Sequence, residues 1–80
     1  MDDIYFQGKL VLIKTHAVKR ALEKGIAYPD QVYQVLKQGK VKRFGKNRLK
    51  FMKMSEKGSI ICIGEDLGEI IIIKTIERGN

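Results

Sequence analysis

Residues Ile70 to Ile76 read Ile-Ile-Ile-Ile-Lys-Thr-Ile, and this stretch decides the fold. Four consecutive β-branched residues without polar alternation are typical of a central strand, and we expect both faces of that strand to be covered. Lys74 and Thr75 interrupt the run; strand phase predicts that Lys74 shares a face with Ile72 and that Thr75 lies on the opposite face. The C-terminal half of the chain is therefore predicted to form a sheet around this strand.

The segments before this strand also have strand-like patterns. Val41–Phe44, Arg48–Met54 and Ser59–Gly64 are short apolar or alternating runs, and the turn Gly45-Lys46-Asn47 separates the first two. The alternation breaks at Met52-Lys53-Met54, where we expect a bulge or a twist. Antiparallel strands joined by tight turns are the expected arrangement.

Two helical segments precede the strands. Apolar residues recur at helical spacing within Thr15–Lys24 and within Pro29–Gln38. Thr15 is expected to cap the first helix, and Gly25 followed by Ile26 is expected to end it. We therefore predict an α+β fold in which an N-terminal helix hairpin packs on an antiparallel β-sheet of three to four strands.

The N-terminal residues add two features. Tyr5-Phe6-Gln7-Gly8 matches the end of a protease site used to remove tags, so residues 1–8 are either a native extension or a vector-derived segment. Residues 9–80 form the predicted single domain. Lys9–Ile13 is an apolar run that predicts an extra N-terminal strand. An exposed strand of this kind can pair between chains and give a homo-oligomer.

The composition of the chain excludes several kinds of site and structure. Eighty residues suit one domain, and a single cysteine, Cys62, excludes a disulfide within the chain. One cysteine and one histidine make no zinc site, so neither a metal nor a cofactor is expected. The sequence has no signal peptide and no apolar stretch of membrane-spanning length, so we expect a cytoplasmic protein.

The chain is strongly basic. Sixteen Lys and Arg residues against nine Asp and Glu give a net charge of +7. Such a charge attracts polyanions, which here means nucleic acid or an acidic partner protein. The alternative is that the charge serves solubility alone, or reflects the Lys, Glu and Ile enrichment of thermophile proteins. Because ion-pair networks balance their signs, this excess favours contact with nucleic acid.

Strand phase groups several of the basic residues. Arg48 and Lys50 share a face, and either Lys42 or Arg43 lies beside them, depending on the hairpin register. Like charges opposite each other are destabilising, so a fold that keeps them is expected to bind an anion there. The alternative is a solvated basic face. The candidate nucleic-acid-binding residues are Lys42, Arg43, Lys46, Arg48, Lys50 and Lys74.

His16 and Arg20 are candidates for catalysis. His16 is the one side chain suited to proton transfer near neutral pH, and the start of a helix disfavours its charged form, as a general base requires. Arg20 lies one turn later, where it can hold a phosphate while the base takes a 2′-hydroxyl proton. The alternatives are a capping or partly buried His16, and an Arg20 paired with Glu23.

The order of these pieces resembles a known group of proteins. The resemblance spans about residues 14–77, and its marks are His16-Ala17-x-x-Arg20, Glu23-Lys24-Gly25-Ile26, Val32, Leu36 with Gly39, Phe44-Gly45-Lys46-Asn47-Arg48 and Lys74-Thr75-Ile76. Together they are similar to a family of small uncharacterised proteins in the RelE/barnase/EndoU/colicin group of ribonuclease folds. The chain departs from that pattern at Lys24, where arginine is commoner.

The resemblance implies metal-independent RNA cleavage by a RelE-like protein of toxin type. The residues that match the family's polar positions, and so the implied catalytic residues, are His16, Arg20, Arg48 and Thr75. The implied partners are RNA and a small acidic antitoxin-like protein, with no membrane. The second hypothesis is a non-catalytic RNA- or protein-binding module on the same fold.

Overall fold

The computed structural model describes residues 3–79, which fold into one curled sheet and two short helices. Apart from the first strand, which the sequence did not predict, every element lies within two residues of a predicted helix or strand. In chain order they are β1 (Ile4–Phe6), β2 (Lys9–Ile13), α1 (Thr15–Glu23), α2 (Asp30–Gln38), β3 (Lys40–Phe44), β4 (Arg48–Ser55), β5 (Gly58–Asp66) and β6 (Ile70–Arg78).

The sheet is mixed. Its six strands follow the order β1-β2-β6-β5-β4-β3, and every neighbouring pair is antiparallel except β2 and β6. In the sequence, both helices separate β2 from the antiparallel strands β3 to β6. Of these later strands, only the last, β6, pairs with β2, and it does so in parallel. β2 is therefore an interior strand, and the free edges are β1 and β3.

The predicted fold class was wrong. We expected a helix hairpin on an antiparallel sheet of three to four strands, and the structure is mostly a curled, six-stranded mixed sheet resembling half a barrel. Two pairings account for the difference: β1 pairs with β2, and β2 pairs with β6. The curl is strong enough that Phe6 of β1 and Phe51 of β4 pack edge to face, with ring centroids 5.1 Å apart.

The helices cover only one face of this sheet, called here the inner face. α1 packs beside β6, and α2 packs on β4 and β5. The core lies between the helices and the sheet. Its fully buried sheet residues are Leu49, Phe51, Cys62, Ile71, Ile73 and Ile76. The opposite, outer face is the convex side of the curl, because the two sheet edges approach each other across the inner side.

The expectation that β6 is covered on both faces was therefore wrong. Ile71 and Ile73 are buried in the core, whereas Ile70 and Ile72 point outward and are only half-buried. Two nine-residue helices are too small to cover more than one face of six strands. No helix among residues 3–79 is long and apolar enough to cross a membrane.

The irregularity of the sheet lies in β6 and not at Met52-Lys53-Met54, where β4 pairs with β5 without interruption. Thr75 pairs with Ile63, but the next pair joins Ile73 to Gly64, so Lys74 is an extra residue. Because of this extra residue Thr75 lies on the same face as Ile72, and the prediction that it lies on the opposite face was wrong. At Gly64 a Cβ atom would lie 2.6 Å from the Ile72 carbonyl oxygen, which only glycine avoids. The alternation at Met52 breaks because Lys53 faces inward, not because the strand bulges.

The ends of α1 differ in how well they were predicted. Thr15 is the first helical residue and not the cap; the N-cap is Lys14, and no side chain caps this end. The prediction for the C-terminal end is confirmed, since Gly25 has φ +72 and Ile26 folds back to donate its N–H to the Ala21 carbonyl at 2.9 Å. Ile26 is buried.

An ionic clasp holds one end of the half-barrel. The Asp66 carboxylate, 8% exposed, accepts hydrogen bonds from Lys9 Nζ at 2.8 and 2.9 Å and from Arg43 at 3.1 Å. The backbone N–H of Gly68 donates a further one at 2.9 Å. Because Lys9 belongs to β2 and Arg43 to β3, Asp66 ties both halves of the sheet together. The bonds from Lys9 and Gly68 lower the pKa of Asp66 to about 2.

Candidate nucleic-acid interface

The outer face of the β3–β4 hairpin carries a group of basic side chains. Lys42 lies directly opposite Lys50, and Arg48 lies opposite Phe44 at the end of the hairpin. All point outward, because Leu49 and Phe51 alternate with them and are buried on the inner side. With Lys40, two residues before Lys42 on the same face, they form what we call the basic strip: Lys40, Lys42, Arg48 and Lys50.

The basic strip is not neutralised by the rest of the fold. None of its four residues forms an ion pair with a carboxylate of residues 3–79. Glu65 lies opposite Arg48 in the sheet, but its carboxylate binds Lys74 at 3.1 Å. Unpaired like charges on facing residues are unfavourable, so the strip is suited to binding an anion.

The other predicted nucleic-acid-binding residues lie elsewhere or are engaged. The register left open by the sequence places Arg43 opposite Leu49, on the inner side, where it binds Asp66. Lys74 is on the outer face but is paired with Glu65. Lys46 is exposed in the hairpin turn next to the basic strip.

Lys40 was missed by the sequence reasoning. The predicted strand began at Val41, so Lys40 was left outside the phase that it shares with Lys42. Its spacing of two residues from Lys42 was the signal that could have found it.

Two of the predicted catalytic residues meet at a glutamate that the sequence reasoning did not select. Glu77 Oε2 accepts hydrogen bonds from the Arg20 guanidinium at 2.8 Å and from the Thr75 hydroxyl at 3.0 Å. Lys24 Nζ lies 3.3 Å from the other carboxylate oxygen. These residues form the Glu77 cluster, which joins α1 to the outer face of β6. The signal for Glu77 was its spacing of two residues from Thr75.

The electrostatics of the Glu77 cluster fix its charge states. The hydrogen bond from Arg20 lowers the pKa of Glu77, and the same bond raises the pKa of Arg20. Glu77 is therefore an ionised anchor and not a proton acceptor near neutral pH. Arg20 Nε is buried and has no hydrogen-bond partner within the described chain.

The remaining catalytic candidates are only partly brought together. His16 is exposed in the first turn of α1, four residues before Arg20. Thr75 pairs with Ile63, which pairs with Lys50, so Thr75 and Lys50 share the outer face with one strand between them. Two strand spacings separate their backbones by roughly 9.5 Å. Thr75, Arg48 and Lys50 thus share the outer face, and Arg20 reaches this face through its hydrogen bond to Glu77.

Aliphatic side chains fill the space between the basic strip and the sheet edge at β1. Six outward residues contribute to this aliphatic stripe: Leu10, Leu12, Ile61, Ile63, Ile70 and Ile72. Leu12 is 45% exposed, and the others are half-buried. The outer face therefore combines unpaired cations with apolar surface, which is typical of a face that contacts a ligand.

Comparisons with known proteins found no relative of this chain. No protein-family model matches it, no curated protein matches it, and no solved structure matches it. The resemblance to RelE-like ribonucleases therefore stays a prediction from the sequence.

Proposed function

We propose that this protein binds RNA through the outer face of its β3–β4 hairpin. The observation that carries the proposal is that Lys42 stands directly opposite Lys50 and neither forms an ion pair within residues 3–79. Keeping two cations side by side opposes folding, and phosphates of an RNA chain would neutralise them. Lys40 and Arg48 extend the same strip along the two strands, which suits successive phosphates of one chain.

A salt titration of RNA binding tests this proposal. The probe is a fluorescently labelled single-stranded RNA, and the comparison is between the wild type and the double variant Lys42→Gln/Lys50→Gln. Loss of two phosphate contacts should weaken binding at least about tenfold at low salt. It should also flatten the slope of log K against log salt by about 1.4, since each phosphate contact on a single strand contributes about 0.7.

The matched control is Lys19→Gln/Lys37→Gln, which removes the same charge from exposed positions on α1 and α2. This control should retain most of the affinity. If both double variants lose equal affinity, the attraction is diffuse and the basic strip is not the site. Wild-type binding that does not respond to salt would contradict the proposal altogether.

Cleavage of the bound RNA is the second candidate function, supported by the Glu77 cluster. Glu77 holds Arg20 and Thr75 on the same face as the basic strip, and His16 precedes Arg20 by one helical turn. In this scheme His16 takes the 2′-hydroxyl proton and Arg20 faces the phosphate. The acidic antitoxin-like partner belongs to this candidate, since a carboxylate-rich segment would neutralise the basic strip.

Incubation with single-stranded RNA in the absence of divalent metal separates cleavage from binding. His16→Ala should lower the cleavage rate by about 10²–10⁴-fold and leave RNA affinity nearly unchanged, because a general base contributes little to ground-state binding. Lys19→Ala on the same helix is the control and should cleave normally. Wild-type protein that cleaves no faster than His16→Ala would eliminate the enzyme and leave RNA binding standing.

A further inference from the structure

A second electropositive region lies at the inner side of the sheet, away from the basic strip. It is a cavity of about 530 Å³ between the α1–α2 connection, the first half of α2 and the β4–β5 turn. Its volume is in the range of small-molecule sites. The side chains that give it its character are Gln31, Gln34, Lys53, Ser55, Lys57 and Arg78.

Lys53 is the unexpected residue of this cavity. The inward residues of β4 are Leu49, Phe51 and then Lys53, so the lysine continues a row of core positions. It is half-buried, and it forms neither a hydrogen bond nor an ion pair with the described residues. An inward ammonium group without a counterion is unfavourable, which makes it suited to an anionic ligand.

Arg78 is the second inward cation of the cavity. Lys53 pairs with Ile60, and Ile60 pairs with Arg78, so the two cations belong to one row across three strands, roughly 9.5 Å apart at the backbone. The Arg78 guanidinium donates to the carbonyls of Lys24 and Gly25 at 3.2 and 3.5 Å and to Ser55 Oγ at 3.2 Å. It binds no carboxylate of residues 3–79, and two of its five N–H groups remain available.

The other lining groups are mostly donors. The side-chain oxygen of Gln31 accepts the Ala27 N–H at 2.7 Å, so its amide nitrogen is free to donate. Gln34 and Lys57 add further donors, and Glu56 contributes the one carboxylate among the described lining residues. The described lining residues therefore have a net charge of +2, from Lys53, Lys57 and Arg78 against Glu56.

We propose that this cavity binds a small ligand through a doubly charged oxyanion group, of which phosphate is the simplest example. Two inward cations set on either side of a donor-lined space match the charge and the several acceptor oxygens of such a group. The site goes beyond the proposed RNA binding, because Lys53 and Arg78 face the inner side while the basic strip faces the outer side.

Titration of the ¹⁵N-labelled full chain with inorganic phosphate tests this assignment by NMR, with ionic strength held constant by sodium chloride. Saturable shifts are expected at Gly25, Ser55 and the Gln34 side-chain amide. Lys53→Met keeps the aliphatic stem and removes the charge, and it should weaken phosphate binding by about tenfold to a hundredfold. Acetate, with a single charge, should bind at least about tenfold more weakly than phosphate.

Matched variants distinguish this site from general attraction and from the RNA surface. Lys37→Met removes a charge from the exposed side of α2 and should leave the phosphate titration unchanged. Lys42→Gln/Lys50→Gln should also leave it unchanged, even where it weakens RNA binding. Shifts that do not saturate, equal affinity for acetate, or an unaffected Lys53→Met variant would each overturn the proposal.

Discussion

The two faces of the sheet are built from the same kinds of residue and have opposite surroundings. Ile71 and Ile72 are neighbours on β6, yet Ile71 is fully buried in the core while Ile72 lies half-buried on the convex outer face. The inner face decides whether the chain folds, because its burial provides most of the hydrophobic stabilisation. The outer face contributes far less to stability, and its composition is available for a ligand.

The charges of the two faces differ in the same way. Arg43 and Lys42 are adjacent on β3; Arg43 points inward to the Asp66 clasp, whereas Lys42 points outward to Lys50. Arg43, which helps to hold β3 against the rest of the sheet, has the Asp66 carboxylate as its partner. A cation that lacks a carboxylate and stands beside another one, as Lys42 does beside Lys50, therefore marks a candidate ligand site.

The largest difference between the faces is expected in thiol reactivity. Burial raises the pKa of the Cys62 thiol to about 12, so at neutral pH its reactive thiolate is on the order of a thousandfold rarer than that of a free cysteine. Alkylation by iodoacetamide should therefore be strongly slowed. In the variant Cys62→Ala/Ile63→Cys the thiol lies half-exposed on the outer face and should react far faster than Cys62 does in the wild type. Equal rates would mean that the inner face is open.

The two isoleucines of β6 give the next largest contrast. Ile71→Ala removes a buried side chain from the core and should lower the free energy of unfolding by about 2–5 kcal/mol. Ile72→Ala removes the same atoms from the outer face and should cost about 1 kcal/mol or less. Urea denaturation of both variants measures the difference. Similar losses would indicate that the outer face is covered as well, by a second copy or by another chain.

The sequence predicted the local elements better than their assembly. Helix and strand bounds follow from periodicity and turn residues such as Gly25, which are local signals. Which strands pair is not local: nothing in Lys9–Ile13 states that it lies beside β6 and not at an edge. Ile70 and Ile72 were wrongly expected to be covered for a related reason. The sequence pattern shows that these residues are apolar, but it does not show whether another part of the chain covers them.

The candidate site was predictable to a similar extent. Strand phase correctly put Arg48 and Lys50 on one face, and the hairpin register then chose Lys42 over Arg43 as their neighbour. The grouping of Arg20 with Thr75 through Glu77 depends on α1 packing beside β6, a long-range contact with no local signal.

The Asp66 clasp should make the stability of the fold depend on pH. The folded-state pKa of Asp66 is lowered to about 2, below the unfolded value of about 3.9, so the clasp contributes stability above the unfolded pKa. That stability is lost as the pH falls through about 2. Asp66→Asn should therefore unfold more easily than the wild type at neutral pH, and the gap should narrow in acid. A gap that stays constant between neutral pH and pH 2 would contradict the role of the clasp.

The smallest expected effect concerns the basic strip, where substitution should raise the free energy of unfolding and not lower it. Lys42 and Lys50 repel each other across the hairpin, so Lys42→Gln/Lys50→Gln should raise the free energy of unfolding by about 0.2–1 kcal/mol. The gain should shrink at high salt, because screening already weakens the repulsion in the wild type. Lys19→Gln/Lys37→Gln removes the same charge from separate helices and should change stability by less.

A Lys42→Gln/Lys50→Gln variant that gains stability while losing RNA affinity would show that the chain keeps an unfavourable pair of lysines for its ligand. If the variant were instead less stable than the wild type, the two lysines would be packing residues, and the main argument for an anion at this face would fail.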